Sequence, residues 1–445
     1  MAGNSHRRQG IQPRRPLRFK INMKISVFGL NYLPESTSIG PYTAELAEHL
    51  RDRGHDVRVI TGFPSAPNWK IWNGYRNRIF MREAINGVPV FRTYLYVPKR
   101  PRKSVSRILF DCAFAVSALT GIFVRLRPDL IIVVSPPLQL AITGRLLAAL
   151  SRARLFLHIQ DLVPDAAVAT GALRKGSIAW KFGRALETWV YRGATGIGVI
   201  CEGMRQNLLA KGVPETKVKT FPDYIDPTFI QPVQRHDNGF RATLGVSPDA
   251  FLVMYSGSVS GKQGLQTYVE AAATLETDQR VVCCLIGEGA NLNDLKTLAA
   301  ARSMKRFLFL PLQPRESLAA QLSAADVLVI TQRKLVTDIV FPGKLLYYMA
   351  AGTAILASVP RESETGRFIR EHQVGMVVPA EDASALAAAL KWMQERPEQR
   401  REFGRNGRRV IETQFDRSLV LERFGSHLEQ VGAHGTLSSA TPVTL

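Results

Sequence analysis

Phe341-Pro342-Gly343-Lys344, followed by the apolar run Leu345-Leu346-Tyr347-Tyr348-Met349-Ala350-Ala351 and Gly352, has the chemistry of a phosphate-binding turn that opens a short buried helix. Pro342 and Gly343 break the preceding chain, and Lys344 brings a cation to the first turn. Gly352 suits the left-handed position that ends a helix before Ala354-Ile355-Leu356-Ala357 resumes as a strand. Free N–H groups and a partial positive charge at such a start attract an anion. An ordinary strand-to-helix connection looks the same locally, so the neighbouring loops must decide.

A second loop of this kind lies upstream. The strand-like run Phe251 to Ser256 leads into Gly257-Ser258-Val259-Ser260-Gly261-Lys262-Gln263-Gly264 and a helical pattern from Leu265. Glycines let backbone approach a ligand closely, and Lys262 is placed to neutralise a phosphate. A third loop, Gly287-Glu288-Gly289, closes the apolar run Val281 to Ile286. Three loops at the C-terminal ends of predicted parallel strands suggest one ligand, because that rim is where open α/β sheets bind. The ligand they suit is a nucleoside diphosphate.

The elements that must position these loops alternate along the chain. Strands are predicted near 24–30, 56–61, 129–134 and 154–159, with helices near 40–53, 104–125 and 138–150, a pattern that implies a doubly wound parallel sheet. Ile131-Ile132-Val133-Val134 and Phe156-Leu157-His158-Ile159 are near-continuous apolar runs, as in strands covered on both faces. A polar segment from Pro222 to Gly239 separates this half from a second alternation, Phe251 to about Val378, and reads as a hinge. Helical stretches follow near 382–395, 398–412 and 416–430. The resulting division is a basic tail at 1–22, an N-terminal acceptor-side domain at 23–221, a C-terminal nucleotide-binding domain at 222–412, a helix at 413–430 that packs back on the first domain, and a disordered end at 431–445. The fold class is α/β, with two Rossmann-like doubly wound domains facing each other across a cleft.

A chain of 445 residues, 46% hydrophobic and 21% charged, can build two full cores. Its net charge of +21 asks for an acidic partner or surface. Seven of the first 24 residues are Lys or Arg, and five more lie at Lys99, Arg100, Arg102, Lys103 and Arg107. Because the excess is a terminal tail and one loop, not a folded face interleaved with aromatics, no nucleic-acid partner is expected. Met23 would itself make a natural start, which allows the tail to be a misplaced initiation site. Cys112, Cys201, Cys283 and Cys284 lie in apolar segments without metal or redox spacing and read as buried thiols of a reducing compartment. No apolar segment of signal type follows the basic N-terminus. Ile108 to Val124, interrupted by Asp111, is shorter than the roughly 20 residues of a spanning helix and reads as a buried or interfacial one. Its basic preface, with Tyr94 and Tyr96 upstream, suits anionic lipid headgroups, or else is a solvated loop before a core helix.

Taken in order, these motifs resemble the glycosyltransferases of the GT-B fold, family 4, and most nearly the colanic-acid-type and O-antigen-type enzymes of bacterial polysaccharide assembly. Asn31-Tyr32-Leu33-Pro34-Glu35 with Ile39-Gly40-Pro41-Tyr42-Thr43 is similar to the family's first loop, and Gly62-Phe63-Pro64 continues it. Gln160-Asp161-Leu162-Val163-Pro164-Asp165 resembles its acidic loop, and Asp223 with Asp226, Phe229 and Pro232 its hinge. The three glycine loops, with Ala324-Ala325-Asp326-Val327, resemble its donor half. One departure is that Ile339 and Tyr347 stand where the wider family carries two glutamates eight positions apart, the second on the nucleotide ribose.

The resemblance implies a retaining, metal-independent hexosyltransferase. Its co-substrate is a nucleoside diphosphate sugar, with no resident cofactor and no metal site, and its acceptor a lipid-linked saccharide. It would sit in the cytoplasm, peripheral on the anionic inner leaflet. Departing diphosphate charge needs fixed cations and N–H groups, for which Lys262, Lys344 and the amides around Pro342 and Gly343 are available. Gly257, Gly261, Gly287 and Gly289 would line the donor, the last two at the nucleobase. Gly40 either lets the N-terminal domain approach the donor or simply opens a helix. Asp161 and His158, at a strand end on the acceptor side, are candidates to orient or deprotonate a hydroxyl, and each has a structural reading beside it. A sugar-nucleotide epimerase uses the same fold without an acceptor and is the alternative. A dehydrogenase is disfavoured because Leu30-Asn31-Tyr32-Leu33-Pro34 lacks the glycine-rich dinucleotide turn.

Overall fold

A computed structural model of the chain describes residues 22–36, 39–99, 104–125, 127–162, 165, 168, 173–334 and 342–433. The basic tail, Arg100, Arg102, Lys103, Val163, Pro164, Ile339, Phe341 and the segment after Ala433 lie outside the described residues.

The first half builds an eight-stranded sheet: β1 (Lys24–Phe28), β2 (Asp56–Gly62), β3 (Phe80–Ile85), β4 (Val88–Thr93), β5 (Leu130–Ser135), β6 (Arg154–Ile159), β7 (Gly196–Val199) and β8 (Val218–Thr220), in the order β3-β4-β2-β1-β5-β6-β7-β8. All neighbours are parallel except β3 and β4. That hairpin is absent from the sequence expectation although its turn is Asn86-Gly87, both at positive φ, 49° and 78°, the conformation that two-residue hairpins require. β3 alternates exposed and half-buried residues, so it lacks the buried apolar run that marks the other strands.

Helix α1 (Gly40–Asp52) covers one face of this sheet, and α2 (Ser104–Ser117), α3 (Leu138–Ser151) and α4 (Ile178–Gly193) form a layer on the other. The helix predicted over 104–125 breaks into α2, a 3-10 turn at Ala118–Thr120 and a short helix at Gly121–Val124. Hydroxyls sit at the break: Ser117 Oγ donates to the Phe114 carbonyl (3.0 Å) and Thr120 Oγ1 to that of Ser117 (2.7 Å), a side-chain competition that bends helices. Phe110, Phe114 and Ala118 are buried against Phe28, Ile131 and Val133, so the inner side of this segment is core.

The second half is a six-stranded parallel sheet, β11-β10-β9-β12-β13-β14, from β9 (Phe251–Ser256), β10 (Val281–Ile286), β11 (Phe307–Leu310), β12 (Val327–Thr331), β13 (Ala354–Ser358) and β14 (Gly375–Val378). Helices α5 (Glu202–Ala210) in the first domain and α6 (Gln266–Ala273), α7 (Gly343–Ala350), α8 (Glu364–Glu371) and α9 (Pro397–Val410) in the second complete the set that bears on the site.

The chain crosses between domains twice, side by side. Ile225 N–H donates to Phe415 O (3.0 Å), and Arg417 N–H donates to Ile225 O (3.0 Å). After the second crossing α10 (Arg417–Ala433) packs on the first domain, where Phe424 stacks on Phe221 at 4.2 Å and 7°. Arg53, beside the end of α1, pairs with Glu429 of α10 at 2.7 Å. A further contact between the domains is made by Glu364 at the start of α8, whose carboxylate accepts N–H groups of Glu202 and Gly203 at the head of α5.

Candidate active site

β9 ends in Tyr255-Ser256, and the next four residues form the upper edge of the site. Tyr255 is fully buried and donates its hydroxyl proton to the Ser258 carbonyl at 2.6 Å. Its oxygen is thus free to accept from Lys344 Nζ at 2.5 Å, and the same ammonium stands 4.1 Å from the ring centroid. Lys344 is therefore not the solvated lysine its position at a helix start suggests. Burial brings its pKa down from 10.5 to about 7, and no carboxylate pairs with it among the described residues. An anion arriving here would restore the charge that burial disfavours.

Tyr348, one turn further along α7, holds the strand end from the other side. Its hydroxyl donates to Ser256 O (2.9 Å) and accepts the Ser256 N–H (2.9 Å), while Gln321 donates to Ser256 Oγ (2.6 Å). Pro342 caps α7 and its carbonyl accepts the Leu345 N–H at 2.8 Å. Gly343 has open space where a side chain would be.

Gly257, Gly287 and Gly289 bring two loops into backbone contact. A Cβ on Gly287 would stand 2.0 Å from the Gly257 carbonyl, and one on Gly289 2.0 Å from that of Val259. Val259 N–H in turn donates to Glu288 O at 2.8 Å. These glycines are thus required by the fit of the loops to each other. Gly261 opens a single 3-10 turn, Gly261–Gln263, closed by reciprocal hydrogen bonds between Ser260 and Gln263. Lys262 rides on that turn with its side chain exposed, and its carbonyl accepts the Arg333 N–H at 3.2 Å.

Lys262 faces Asp161 from across the cleft. Burial raises the Asp161 pKa, and the Lys262 charge followed by the Leu162 N–H partly offsets the rise. Asp161 Oδ1 is buried without a hydrogen-bond partner among the described residues. The structure thus brings one acid from the end of β6 toward one cation from the donor loop. His158, three residues before Asp161 and inside β6, has other neighbours. It is buried, its ring is 5.0 Å from Phe424 of α10, and its Nε2 shares a hydrogen bond with Gln160 at 3.2 Å. Burial lowers its pKa to about 4 and keeps it neutral.

Gly40 is the first residue of α1, and a Cβ there would lie 3.0 Å from the Glu35 carbonyl. The space it saves is taken by the loop that precedes it. Glu35 itself is buried and was not singled out as a working residue in the sequence. Its Oε1 accepts the N–H groups of Ser65 (2.6 Å) and Ala66 (2.7 Å), and its Oε2 accepts from Asn31 (2.8 Å). It ties the loop after β1 to the loop after β2. Asp165 pairs with Lys211, which also meets Glu187 at 3.2 Å, so this part of the acidic loop is an internal ion-pair network. Asp223 is half-buried beside Tyr42 and Tyr224, with its pKa pushed up to about 6 by desolvation. Tyr347, at the position of the missing ribose carboxylate, lies within electrostatic reach of Arg315, Glu45 and Asp223.

Residues 37–223 match the glycosyl transferase 4-like domain and residues 238–410 the glycosyl transferases group 1 domain. Over 409 residues the chain is 33% identical to the colanic acid biosynthesis glycosyl transferase WcaI of Escherichia coli K12, spanning 90% of this chain and 98% of that protein. The chain belongs to the family 4 glycosyltransferases. As a family 4 glycosyltransferase it shares the GT-B fold with sucrose-phosphate synthase of Thermosynechococcus elongatus (TM-score 0.71, 19% identity, 93% of this chain and 100% of that one). It shares it equally with Anabaena HepE in complex with UDP (TM-score 0.70, 15% identity, 92% and 100%). In a family 4 glycosyltransferase the rim carrying Lys262 and Lys344 belongs to the group 1 domain, and Asp161 to the other.

Proposed function

We propose that this glycosyltransferase moves a hexose-type residue from a nucleoside diphosphate sugar to a lipid-linked saccharide during assembly of a bacterial surface polysaccharide, at the cytoplasmic face of the membrane. The observation that carries the reading is the pair of cations at one rim, Lys344 half-buried against Tyr255 and Lys262 exposed on the facing loop. The WcaI likeness supports the polysaccharide setting, and the UDP held by HepE supports a nucleotide donor.

In this mechanism Lys344, Lys262 and the amide at Gly343 take up the charge that develops on the departing diphosphate, without a metal. As the bond from the anomeric carbon to the diphosphate oxygen breaks, the acceptor hydroxyl attacks the same face, giving retention. Its proton passes to the leaving phosphate oxygen, so no protein nucleophile is needed. Asp161 orients the acceptor hydroxyl opposite Lys262. His158, buried and neutral, supports the strand end from beneath.

The test is a panel of nucleoside diphosphate sugars incubated with the enzyme, EDTA and a membrane lipid extract, reading both nucleotide release and label entering lipid. Extract-dependent labelling in EDTA is the expected result. Labelling abolished by EDTA would remove the metal-independent step, and donor conversion without an acceptor would replace transfer by epimerisation.

A further inference from the structure

Helix α4 buries Val190 and Tyr191 but leaves the apolar side chains of its first two turns outside. Its buried residues include Glu187, which meets Lys211 and Tyr191, while Ile178 and Phe182 are 88% and 70% exposed. An amphipathic helix of a soluble domain turns its apolar stripe to the core, and here much of it faces out. The feature continues across the layer: Leu150 of α3 is 71% exposed, and Val116 and Phe123, on α2 and the short helix after it, are 67% and 82% exposed. Val105–Val124 is by length and composition apolar enough to cross a membrane, yet its inner side is core, so it lies flat with its outer side bare.

Between α3 and α4 runs an open groove of about 510 Å³ lined by Arg145, Arg184, Arg192, Thr188 and Trp189. Arg145 is built into it. Its guanidinium lies 3.8 Å from the Trp189 ring centroid, and Gly193 makes room, since a Cβ there would stand 2.4 Å from the Arg145 Nε. Its Nη1 is buried and has no hydrogen-bond partner among the described residues. The exposed charge of the rim is of one sign: the one acid of α3 and α4 is Glu187, buried beneath it, where it meets Lys211 at 3.2 Å and Arg184 at 3.7 Å.

We propose that the outer face of the α2, α3 and α4 layer is the surface by which this enzyme lies on an anionic phospholipid bilayer, with a lipid phosphate seated in the groove of Arg145, Arg184 and Arg192. The inference rests on the membrane placement proposed above and names the surface that achieves it. Apolar side chains beside a basic groove, with Trp189 between them, match the layered chemistry of a bilayer interface, where apolar groups enter the acyl region and arginines meet headgroups. A protein partner of comparable apolar surface would not call for a one-signed rim and a guanidinium left without an acceptor.

The experiment is co-sedimentation of the full chain with phosphatidylcholine vesicles, with and without 30% phosphatidylglycerol, alongside donor turnover on a soluble acceptor. Two double variants keep the fold testable, Ile178→Ser with Phe182→Ser and Arg184→Glu with Arg192→Glu. Wild type is expected to bind the mixed vesicles at least ten-fold more tightly than pure phosphatidylcholine, and each variant to lose at least ten-fold of that binding with turnover unchanged. Variants that sediment as wild type does, or wild type indifferent to phosphatidylglycerol, overturn the proposal. Failure to label lipid in the donor panel would refute the acceptor reading and leave the vesicle result standing.

Discussion

Replacing Lys344 by methionine should make the protein more stable and less active at once. Burial lowers the Lys344 pKa from 10.5 to about 7, and each tenfold is worth about 1.4 kcal/mol, so at pH 7 the folded state carries a penalty of roughly 4 kcal/mol against the unfolded chain. The hydrogen bond to Tyr255 and the contact with its ring return about 1–2 kcal/mol. Methionine keeps the stem and removes the charge, for an expected net gain of about 2 kcal/mol at pH 7. The folded pKa lies below the unfolded one, so between about 7 and 10.5 the unfolded chain holds the extra proton and wild-type stability rises with pH. The variant lacks that rise, and its advantage should shrink steadily toward pH 10. Urea unfolding at pH 7 and pH 9.5, followed by hydrogen exchange in β9 and β12, reports the C-terminal domain by itself. A variant no more stable than wild type at pH 7, or a gap equal at both pH values, would refute the burial argument. A variant that transfers sugar at the wild-type rate would refute the role of the cation.

Lys262→Ala removes an exposed charge, so turnover should fall by about 100-fold, the loss of one charge-stabilising donor, with the melting temperature unchanged; wild-type kcat/KM would exclude a part for Lys262 at the diphosphate. Gly289→Ala forces a Cβ to within 2.0 Å of the Val259 carbonyl, and should separate the two donor loops, raising the donor KM at least ten-fold while the N-terminal domain unfolds as before. Glu35→Ala leaves the Ser65 and Ala66 N–H groups without their acceptor, at a cost of about 2–3 kcal/mol in the N-terminal domain, measurable by denaturant unfolding; Glu35→Gln, which keeps an acceptor, should lose less.

The alternation of strands and helices and the three glycine loops were readable because each is a local pattern with its own period. The β3–β4 hairpin was missed because β3 is half exposed and has no apolar run, even though Asn86-Gly87 announces a turn. What Lys344 touches was beyond reach. Its partner Tyr255 lies 89 residues away, and only the register of β9 against α7 brings the two together. His158 and Asp161 look equivalent in sequence. A helix from the far end of the chain, carrying Phe424, covers one, while the other faces the donor loop. Glu35 reads as a polar loop residue until the loop after β2 folds over it.

The two adjacent crossings at Ile225 and Phe415 make the C-terminal domain an insertion within the N-terminal one. On the ribosome, Phe156 and Phe221 emerge long before Phe424 and His427, the rings that cover them. The first domain to be synthesised is therefore the last to be finished. It must wait, with an apolar patch uncovered, until an entire second domain has been made, which places its aggregation risk and its demand for chaperones in translation and not in the mature enzyme. Stop codons before Arg417 should release chains whose second domain is folded and whose first is not.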